Sequence, residues 1–384
     1  MNKPSVIEFN IFRLLFIVFS FVFFNYWNSR MTDTSSDIGN YFSYTGVILS
    51  SFCLLISFIY SPNKWRGIHL VCLAWVIVWP VLYWMQGGKI AFFYVMPIIW
   101  PLLYETTFIM IRHSSKRVLL LKYTFILIAI YGFYLFAATR NDEFEQTNTI
   151  YFCFLTLPWL LYNSKRRMCL IILALFSLLA MVSLKRSVML SMVLCWGGYL
   201  FEMVKSTRRR VYLLVFVGAL LYGVDYAFNV IDERFEGQLT ERVNREETDE
   251  GRNRLAIWET TRDMIKESSA EELIIGHGQY GVMQDSPLEI SAHNDFLEVI
   301  YDYGLIIFVL YIFLWVHVVR RCYQLFKARS TLYLPYVVSL SIFIVMSMVS
   351  HLILYATYFN FLVMFWATTE AMLSNKQLIQ ITKK

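Results

Sequence analysis

Hydrophobic residues in this 384-residue chain are grouped in runs of about 14 to 23 positions, separated by polar connectors. Runs of about 20 apolar residues are long enough to cross a bilayer, and in lipid they must be helices because the backbone has to satisfy its own hydrogen bonds. The pattern predicts an all-α integral membrane protein with about twelve transmembrane helices. The predicted spans are 9–28, 41–60, 70–85, 90–111, 118–138, 149–162, 168–184, 187–204, 211–230, 296–318, 332–353 and 357–374.

One long polar segment, 231–295, separates the ninth and tenth predicted spans. It contains 7 Lys and Arg against 16 Asp and Glu, so its formal charge is −9, whereas the whole chain carries +6. The expected organisation is a membrane bundle of about nine helices over 1–230, a large loop over 231–295, and about three further helices with a tail over 296–384.

Basic residues occur in alternate connectors between the spans. The basic segments are SPNKWRGIH, RHSSKR, NSKRR, KSTRRR, VRRCYQLFKARS and the terminal ITKK. Connectors rich in Lys and Arg stay in the cytoplasm. The pattern therefore predicts that both termini are cytoplasmic and that the large loop is extracytoplasmic.

The composition limits the kinds of site that the chain is expected to contain. Only 16% of the residues are charged and 58% are hydrophobic, whereas an ordinary soluble chain has about 25% charged residues. Four of the six cysteines lie inside apolar runs and none lies in the large loop, so neither a disulfide framework nor a zinc-type spacing is indicated. We expect no metal site, no cofactor and no nucleic-acid partner.

Lys185 and Arg186 break the charge pattern, because they lie on the side that otherwise lacks basic clusters. Basic side chains close to membrane depth are costly unless they are paired or extend to the interface. One interpretation is a pair that snorkels at a helix end. The other is an anion site at the outer leaflet, since ammonium and guanidinium groups bind phosphate well.

Arg252 and Arg254 occupy the expected start of a helix over 253–267 in the large loop. Basic groups are disfavoured at the positive end of a helix dipole, and a bound anion there would relieve the cost. For Arg252 we favour pairing with a nearby acid such as Asp249 or Glu250. For Arg254 we favour a functional role.

The stretch ISAHNDFLEVIYDYGLI, residues 290–306, brings ionisable groups to the start of the tenth span. Asn294, Glu298 and Asp302 recur every four residues and are expected on one helical face. His293 is a candidate acid–base group because histidine titrates near neutrality. The alternative for His293 is a helix-capping or interface role.

These elements resemble the O-antigen ligase and O-antigen polymerase superfamily of bacterial envelope glycosyltransferases. The family pattern runs Ser-Arg, Arg-x-x-x-Trp, Gly-x-Gly, His-Asn-x-x-Leu-Glu and then Gly-Leu. The resemblance covers about 180–310. The matching positions are Arg186, Arg254, Trp258, Gly276, Gly278, His293, Asn294, Leu297, Glu298 and Gly304.

This resemblance implies transfer of an oligosaccharide from undecaprenyl pyrophosphate to an acceptor sugar hydroxyl, on the periplasmic side of the inner membrane. Arg186 and Arg254 would stabilise the charge on the departing pyrophosphate, and Lys185 and Arg252 would support them. His293 would remove the acceptor proton or orient the acceptor. The implied partners are the lipid-linked oligosaccharide, membrane lipid and a chain-length regulator.

Further substrate contacts are assigned to Asn294, Glu298, His277 and Tyr280. Glu298 has three open roles: it could tune His293, bond sugar hydroxyls, or pair with an arginine to order the loop. His277 and Tyr280 are by default loop residues, and the glycines around His277 favour a tight turn. Trp258 is interpreted as core rather than as a sugar-stacking platform.

Two activities within the family fit the motifs: a polymerase that joins lipid-linked repeat units, which we favour, and a ligase that delivers glycan to lipid A–core. A transporter or flippase is a less favoured class, because no inverted repeat is visible. A non-catalytic scaffold would leave Lys185 and Arg186 without an explanation.

Overall fold

A computed structural model describes residues 67–87, 97–112, 115–138, 143–183, 185–204, 254–354 and 356–374, with a few residues between 206 and 217. Within these ranges the protein contains helices and no strand, so the all-α prediction is confirmed there. The predicted spans 9–28 and 41–60 and the loop segment 231–253 lie outside the described residues, as does nearly all of 211–230. The count of twelve spans and the domain limits stay predictions.

Twelve helices lie in the described ranges, and nine of them coincide with predicted spans to within a few residues. Larger differences occur at the N-termini of the fourth and sixth spans and at the C-terminus of the tenth. The other three helices lie in the large loop, where the predicted helix over 253–267 is confirmed. The helices are α1 Ile68–Met85, α2 Ile99–Arg112, α3 Ser115–Ala138, α4 Glu143–Leu161, α5 Arg166–Ser183, α6 Arg186–Met203, α7 Arg254–Glu267, α8 Ala270–Ile275, α9 Gly281–Asp285, α10 Asp295–Lys327, α11 Tyr333–Val349 and α12 Ala356–Ser374.

Four segments of these helices are long and apolar enough to cross a membrane: Ile68–Met85, Lys116–Tyr134, Arg166–Ser183 and Asp295–Lys327. Shorter apolar helices accompany them at Ile150–Leu161, Ser187–Met203 and Tyr333–Val349. Many large hydrophobic side chains on these segments face outward, such as Trp84, Leu127 and Val182. Exposed apolar surface on this scale suits lipid rather than water, and the protein is an integral membrane protein.

The backbone divides into two compact units. The first unit contains α1, α2, the beginning of α3 and α12, and its main packing is between α2 and α12. Aromatic rings fill its interior: Trp75 contacts Trp100 edge-on at 5.1 Å, and Trp100 contacts Phe359 at 5.9 Å. A buried ion pair also lies here, with His69 Nδ1 2.7 Å from Glu105 Oε1.

The second unit runs from the greater part of α3 to the turn after α11, and residues 85–87 also belong to it. Its α11 packs on α6, α4 and α10. A Cβ atom added to Gly198 of α6 would lie 2.8 Å from the Val337 side chain of α11, so the glycine permits this close approach. Phe125 and Trp159 stack at 4.4 Å between α3 and α4.

Helix α10 is interrupted at Gly304, which has φ 75° and ψ 176°. The loop helices α7, α8 and α9 all pack against α10. A Cβ on Gly304 would lie 2.3 Å from the Ile274 carbonyl oxygen, and one on Gly276 would lie 2.4 Å from the Asp302 carbonyl oxygen. Two backbone segments therefore touch directly, and both positions require glycine because φ is positive and no side chain fits.

Candidate active site at the start of the long helix

Asn294 begins the site by capping α10. Its side-chain oxygen accepts hydrogen bonds from the backbone N–H groups of Phe296 at 3.0 Å and Leu297 at 3.4 Å. The first N–H groups of a helix have no partner within the helix, and asparagine is among the best residues to satisfy them. The amide nitrogen of the same side chain donates to the Met348 carbonyl at 3.3 Å. Asn294 thus fixes the helix start against the end of α11.

Glu298 lies in the first turn of α10 and is fully buried. One carboxylate oxygen, Oε1, accepts the backbone N–H of His293 at 3.0 Å. The same oxygen lies 3.0 Å from Nδ1 of His351, and Oε2 lies 3.3 Å from it. Because a buried carboxylate needs a cation or several donors, His351 is the natural counter-ion of Glu298.

His293 has a left-handed backbone, with φ 50°, and is only 9% exposed. Its ring lies against the ring of His351, with centroids 4.1 Å apart and an interplanar angle of 34°. The Ser291 hydroxyl lies 3.3 and 3.4 Å from the two ring nitrogens of His351. Two imidazoles, one carboxylate and one hydroxyl therefore meet where the large loop joins α10, and Asn294 rather than His293 caps the helix.

Asp295, the first residue of α10, also stabilises this part of the structure. Its Oδ1 accepts the backbone N–H of Leu352 at 2.8 Å, and its Oδ2 accepts the Tyr311 hydroxyl at 3.1 Å. The Tyr311 hydroxyl is also 3.2 Å from the Ser347 hydroxyl. Because Asp295 is fully buried, these bonds hold the segment after α11 in one position beside His293.

Asp302 is the centre of a second cluster of hydrogen bonds, one turn beyond Glu298 in α10. Its carboxylate accepts the backbone N–H groups of Tyr280 at 3.1 Å and Val282 at 3.0 Å, which begin α9. Asp302 and Glu298 both lie on the buried side of α10, in agreement with the predicted common face. The partners of Asp302 are loop amides, so its role in the described structure is to hold the loop.

The Gly-His-Gly segment, residues 276–278, donates hydrogen bonds to α10 where that helix is interrupted. The backbone N–H groups of His277 and Gly278 donate to the carbonyls of Tyr301 and Asp302, each at 2.9 Å. These carbonyls need outside donors because the helix is interrupted at Gly304. The Gln86 amide adds bonds to the Ile275 carbonyl at 2.7 Å and to the Asp302 carbonyl at 3.2 Å.

The His277 ring belongs to this loop contact. It stacks on Tyr301 with centroids 3.9 Å apart, and its Nε2 lies 2.9 Å from the Ser268 hydroxyl. Nδ1 is 3.6 Å from Asp285 Oδ2, which is longer than a hydrogen bond. The Ser268 hydroxyl donates to the Met264 carbonyl at 2.8 Å, so it accepts from His277 and is not prepared as a nucleophile.

Trp258 joins α7 to the site. Its indole N–H donates to the Ala292 carbonyl at 2.9 Å, next to His293. This supports the prediction that Trp258 is a structural residue. Arg254 is the first residue of α7 and lies one turn before Trp258, on the same helical face. It is half-buried, and among the described residues it makes no hydrogen bond or ion pair.

Lys185 is the N-cap residue of α6. Its ammonium lies 5.4 Å from the centre of the Tyr151 ring, and the Tyr151 hydroxyl is 2.6 Å from the Ser187 hydroxyl. Arg186 is the first residue of α6, and its side chain lies outside the described part of the chain, as does the whole of Arg252. Tyr280 is the N-cap residue of α9 and has a left-handed backbone, with φ 60°.

The loop helix α8 carries a capping box. The Ser269 hydroxyl accepts the Glu272 N–H, and the Glu272 carboxylate accepts the Ser269 N–H at 2.8 Å. That second bond holds the pKa of Glu272 below its ordinary value, because it stabilises the charged carboxylate. Across the described residues, no group of three or more His, Cys, Asp and Glu side chains has an arrangement that could hold a metal ion.

The chain segment that contains most of this site also has a recognisable family signature. Residues 168–312 match the O-antigen ligase family. The resemblance inferred from the motifs is therefore confirmed, and it extends from α5 through the first half of α10. Members of this family are glycosyltransferase-like enzymes that act on lipid-linked sugars. A search of curated proteins gave no significant match to this chain.

Sequence reasoning missed His351. The expected span 332–353 placed this residue inside a helix, whereas α11 ends at Val349 and His351 lies in the turn beyond it. A signal was present, because an isolated histidine near the end of an apolar run is costly unless it has a polar partner. The identity of that partner, Glu298, could not be read from spacing.

Proposed function

We propose that this protein joins oligosaccharide repeat units carried on undecaprenyl pyrophosphate into a surface polysaccharide, either O-antigen or capsule. The reaction is glycosyl transfer to an acceptor sugar hydroxyl. It takes place on the periplasmic side of the bacterial inner membrane, with both termini in the cytoplasm. The observation that carries the proposal is the buried cluster of His293, Asn294 and Glu298 at the start of an apolar helix, inside the family-matched segment.

The donor requires cations near the membrane surface. Lys185 and Arg254 stand at the starts of α6 and α7, and neither helix has an acidic residue in its first turn. Cations at the positive end of a helix are unfavourable alone, and a bound pyrophosphate would turn that cost into an attraction. Arg186 and Arg252 adjoin these residues in sequence and would add charge.

The leaving pyrophosphate gains negative charge as the anomeric C–O bond breaks. Arg186 and Arg254 would stabilise this charge more in the transition state than in the ground state. The same arginines would make a divalent metal ion unnecessary. Lys185 is held on the Tyr151 ring and would contact the lipid phosphate from the side.

The acceptor hydroxyl must lose its proton as the new C–O bond forms. His293 would take this proton or orient the hydroxyl, since a neutral imidazole is an effective base near pH 7. Glu298 accepts the backbone N–H of His293, and the next residue, Asn294, is bonded to the end of α11. Sugar contacts from His277 and Tyr280 would come from the loop that packs on α10, and a chain-length regulator is a candidate partner.

Ligation to lipid A–core is the second candidate function. The matched family carries the description O-antigen ligase, and the match is compatible with ligation and with polymerisation alike. The content of 32 Phe and 25 Tyr is typical of polymerases with this motif set and favours polymerisation. The two reactions share donor chemistry and differ only in the acceptor, so the acceptor has to be tested directly.

A deletion strain complemented with wild type, Arg186→Ala, Arg254→Ala or His293→Ala distinguishes these functions. Surface glycan is separated on a gel at matched expression, and Arg262→Ala, an exposed arginine on the same α7, is the control. A polymerase is indicated if the variants leave single repeats on the acceptor and lose the ladder. A ligase is indicated if lipid-linked polymer accumulates instead. Normal ladders in all three variants would contradict both.

A further inference from the structure

The cluster at the start of α10 contains a histidine from outside the family-matched segment. Resting on the proposed glycosyl transfer, we propose that His351 is a positioning residue: paired with Glu298, it holds the neighbouring His293 neutral and oriented toward the acceptor.

The pairing of His351 with Glu298 follows from burial and distance. The Glu298 side chain is 1% exposed and the His351 side chain 11% exposed, and Oε1 lies 3.0 Å from Nδ1. Removing a lone carboxylate from water is costly, and an imidazolium at hydrogen-bond distance offsets much of the cost. The role of His351 requires that it carry the proton of the pair while Glu298 is charged, the state in which this hydrogen bond is strongest.

The contact between the two rings sets the state of His293. Their centroids are 4.1 Å apart, so two imidazolium ions would stand in direct contact. Like charges at this distance disfavour each other's charged form. His351 carries the charge that Glu298 stabilises, and His293 therefore keeps a neutral ring with the lone pair that a base requires.

The backbone of His293 is fixed by the same carboxylate. Glu298 Oε1 accepts the His293 N–H at 3.0 Å while it bonds to His351. This bond supports the left-handed φ of 50°, which a residue other than glycine adopts only when its surroundings enforce it. One carboxylate thus orients one histidine through its ring and the other through its backbone.

Several polar groups near His351 have hydrogen-bond partners of their own. Ser291 faces both ring nitrogens, and the Asp295 carboxylate is engaged by Leu352 and Tyr311. Asp302, one turn beyond Glu298, is engaged by loop amides. Among these groups Glu298 is the carboxylate that contacts His351, and Asp295 and Asp302 keep their own hydrogen-bond donors when the pair is altered.

The test uses the full chain reconstituted in liposomes with an undecaprenyl-pyrophosphate-linked oligosaccharide. Initial rates of polymer formation are measured from pH 5.5 to 9 for wild type, His351→Gln, Glu298→Gln and the double variant. His69→Gln is the matched control, because His69 and Glu105 form a buried pair of similar exposure, 13% and 1%, in the other unit. That control reports the general cost of losing such a pair.

His351→Gln removes the cation beside His293, and Glu298→Gln removes the carboxylate that stabilises that cation, so in each variant His293 should accept a proton at higher pH. We expect the acidic limb of the rate profile to move to higher pH by roughly one unit, and kcat at pH 6 to fall about tenfold with KM within about twofold. The double variant should match Glu298→Gln rather than add to it, because either change already abolishes the pair. His69→Gln should keep the wild-type profile.

The results that would refute the role of His351 differ from those that would refute glycosyl transfer. If wild type forms polymer and both His351→Gln and the double variant keep the wild-type acidic limb, the role of His351 is refuted and the function stands. The double variant leaves neither charge of the pair without its partner, so it remains a test if a single variant does not fold. If wild type transfers no glycan to any acceptor, the proposed function is refuted first.

Discussion

Glu298 and His351 are 53 residues apart in sequence, and their side chains form a buried hydrogen-bonded pair with a closest distance of 3.0 Å. The pair joins the first turn of α10 to the turn that follows α11. Bonds from Asn294 to Met348 and from Leu352 to Asp295 flank it. Three neighbouring contacts therefore hold His293 between two segments that are distant in the chain.

Loss of the Glu298 carboxylate should destabilise the fold. Glu298→Ala leaves His351 without its counter-ion and the His293 N–H without its acceptor, so we expect a loss of about 3 kcal/mol. Glu298→Gln keeps an acceptor oxygen and should lose only about 1 kcal/mol. Thermal unfolding of the purified chain in detergent measures both, with the exposed Glu259→Ala as control. Equal unfolding temperatures for all three variants would contradict the importance of this pair.

The contact between Gly276 and Gly304 should tolerate no side chain. Gly304→Ala would place a methyl group 2.3 Å from the Ile274 carbonyl oxygen at a positive φ, and we expect a loss of about 3 kcal/mol or more. Gly87→Ala is the matched control, because Gly87 has φ 76° but nothing within 4 Å of the added atom. It should lose only about 1 kcal/mol. Similar yields of folded protein from both variants would show that the close approach is not needed.

Arg254 should require its guanidinium and not only its charge. Arg254→Lys keeps one positive charge but loses the planar fork that binds two phosphate oxygens. We expect kcat for glycan transfer to fall by about 100-fold, as for removal of one transition-state donor. Arg262→Lys on the exposed side of α7 should keep the wild-type kcat. A wild-type kcat in Arg254→Lys would remove Arg254 from the reaction.

The capping box of α8 should make the loop sensitive to acid. The Ser269 N–H lowers the pKa of Glu272, so the stabilisation is complete above the ordinary value of about 4.5 and is lost as the pH falls through the lowered value. Hydrogen exchange of 269–276, corrected for intrinsic rates, should show weaker protection at pH 3 than at pH 6. Glu272→Gln should reduce this difference, whereas Glu271→Gln should preserve it. Unchanged protection at pH 3 in wild type would contradict the assignment.

The helices were predictable where the physical cause is local. Apolar runs predicted α1, α3, α5 and α6 to within about three residues at each end, because a long apolar run in lipid has no alternative to helix. The loop helix α7 was predicted from periodic apolar residues. The break in α10 was not, since Gly304 breaks the helix only because the loop carrying Gly276 packs on it.

The sequence predicted several residues of the candidate site, but not the residues that contact them in the fold. His293, Asn294 and Glu298 were selected from one short motif, and the four-residue spacing correctly placed Glu298 and Asp302 on one buried side. Spacing along one helix carries no information about the segment packed against it. His351 and the loop amides that bind Asp302 come from other parts of the chain, so these contacts are evident only in the folded structure.

The most direct measurement is a transfer reaction with the purified protein, a lipid-linked repeat unit and EDTA, analysed by mass spectrometry. We expect two or more repeat units joined on one undecaprenyl pyrophosphate, with one undecaprenyl pyrophosphate released for every linkage formed. His293→Ala and Arg254→Ala should each lower the initial rate by about 100-fold or more, and Arg262→Ala should not. Joined repeat units formed at the wild-type rate by both variants would contradict the proposed site. If wild type transfers no glycan to another repeat unit, the proposed function is contradicted.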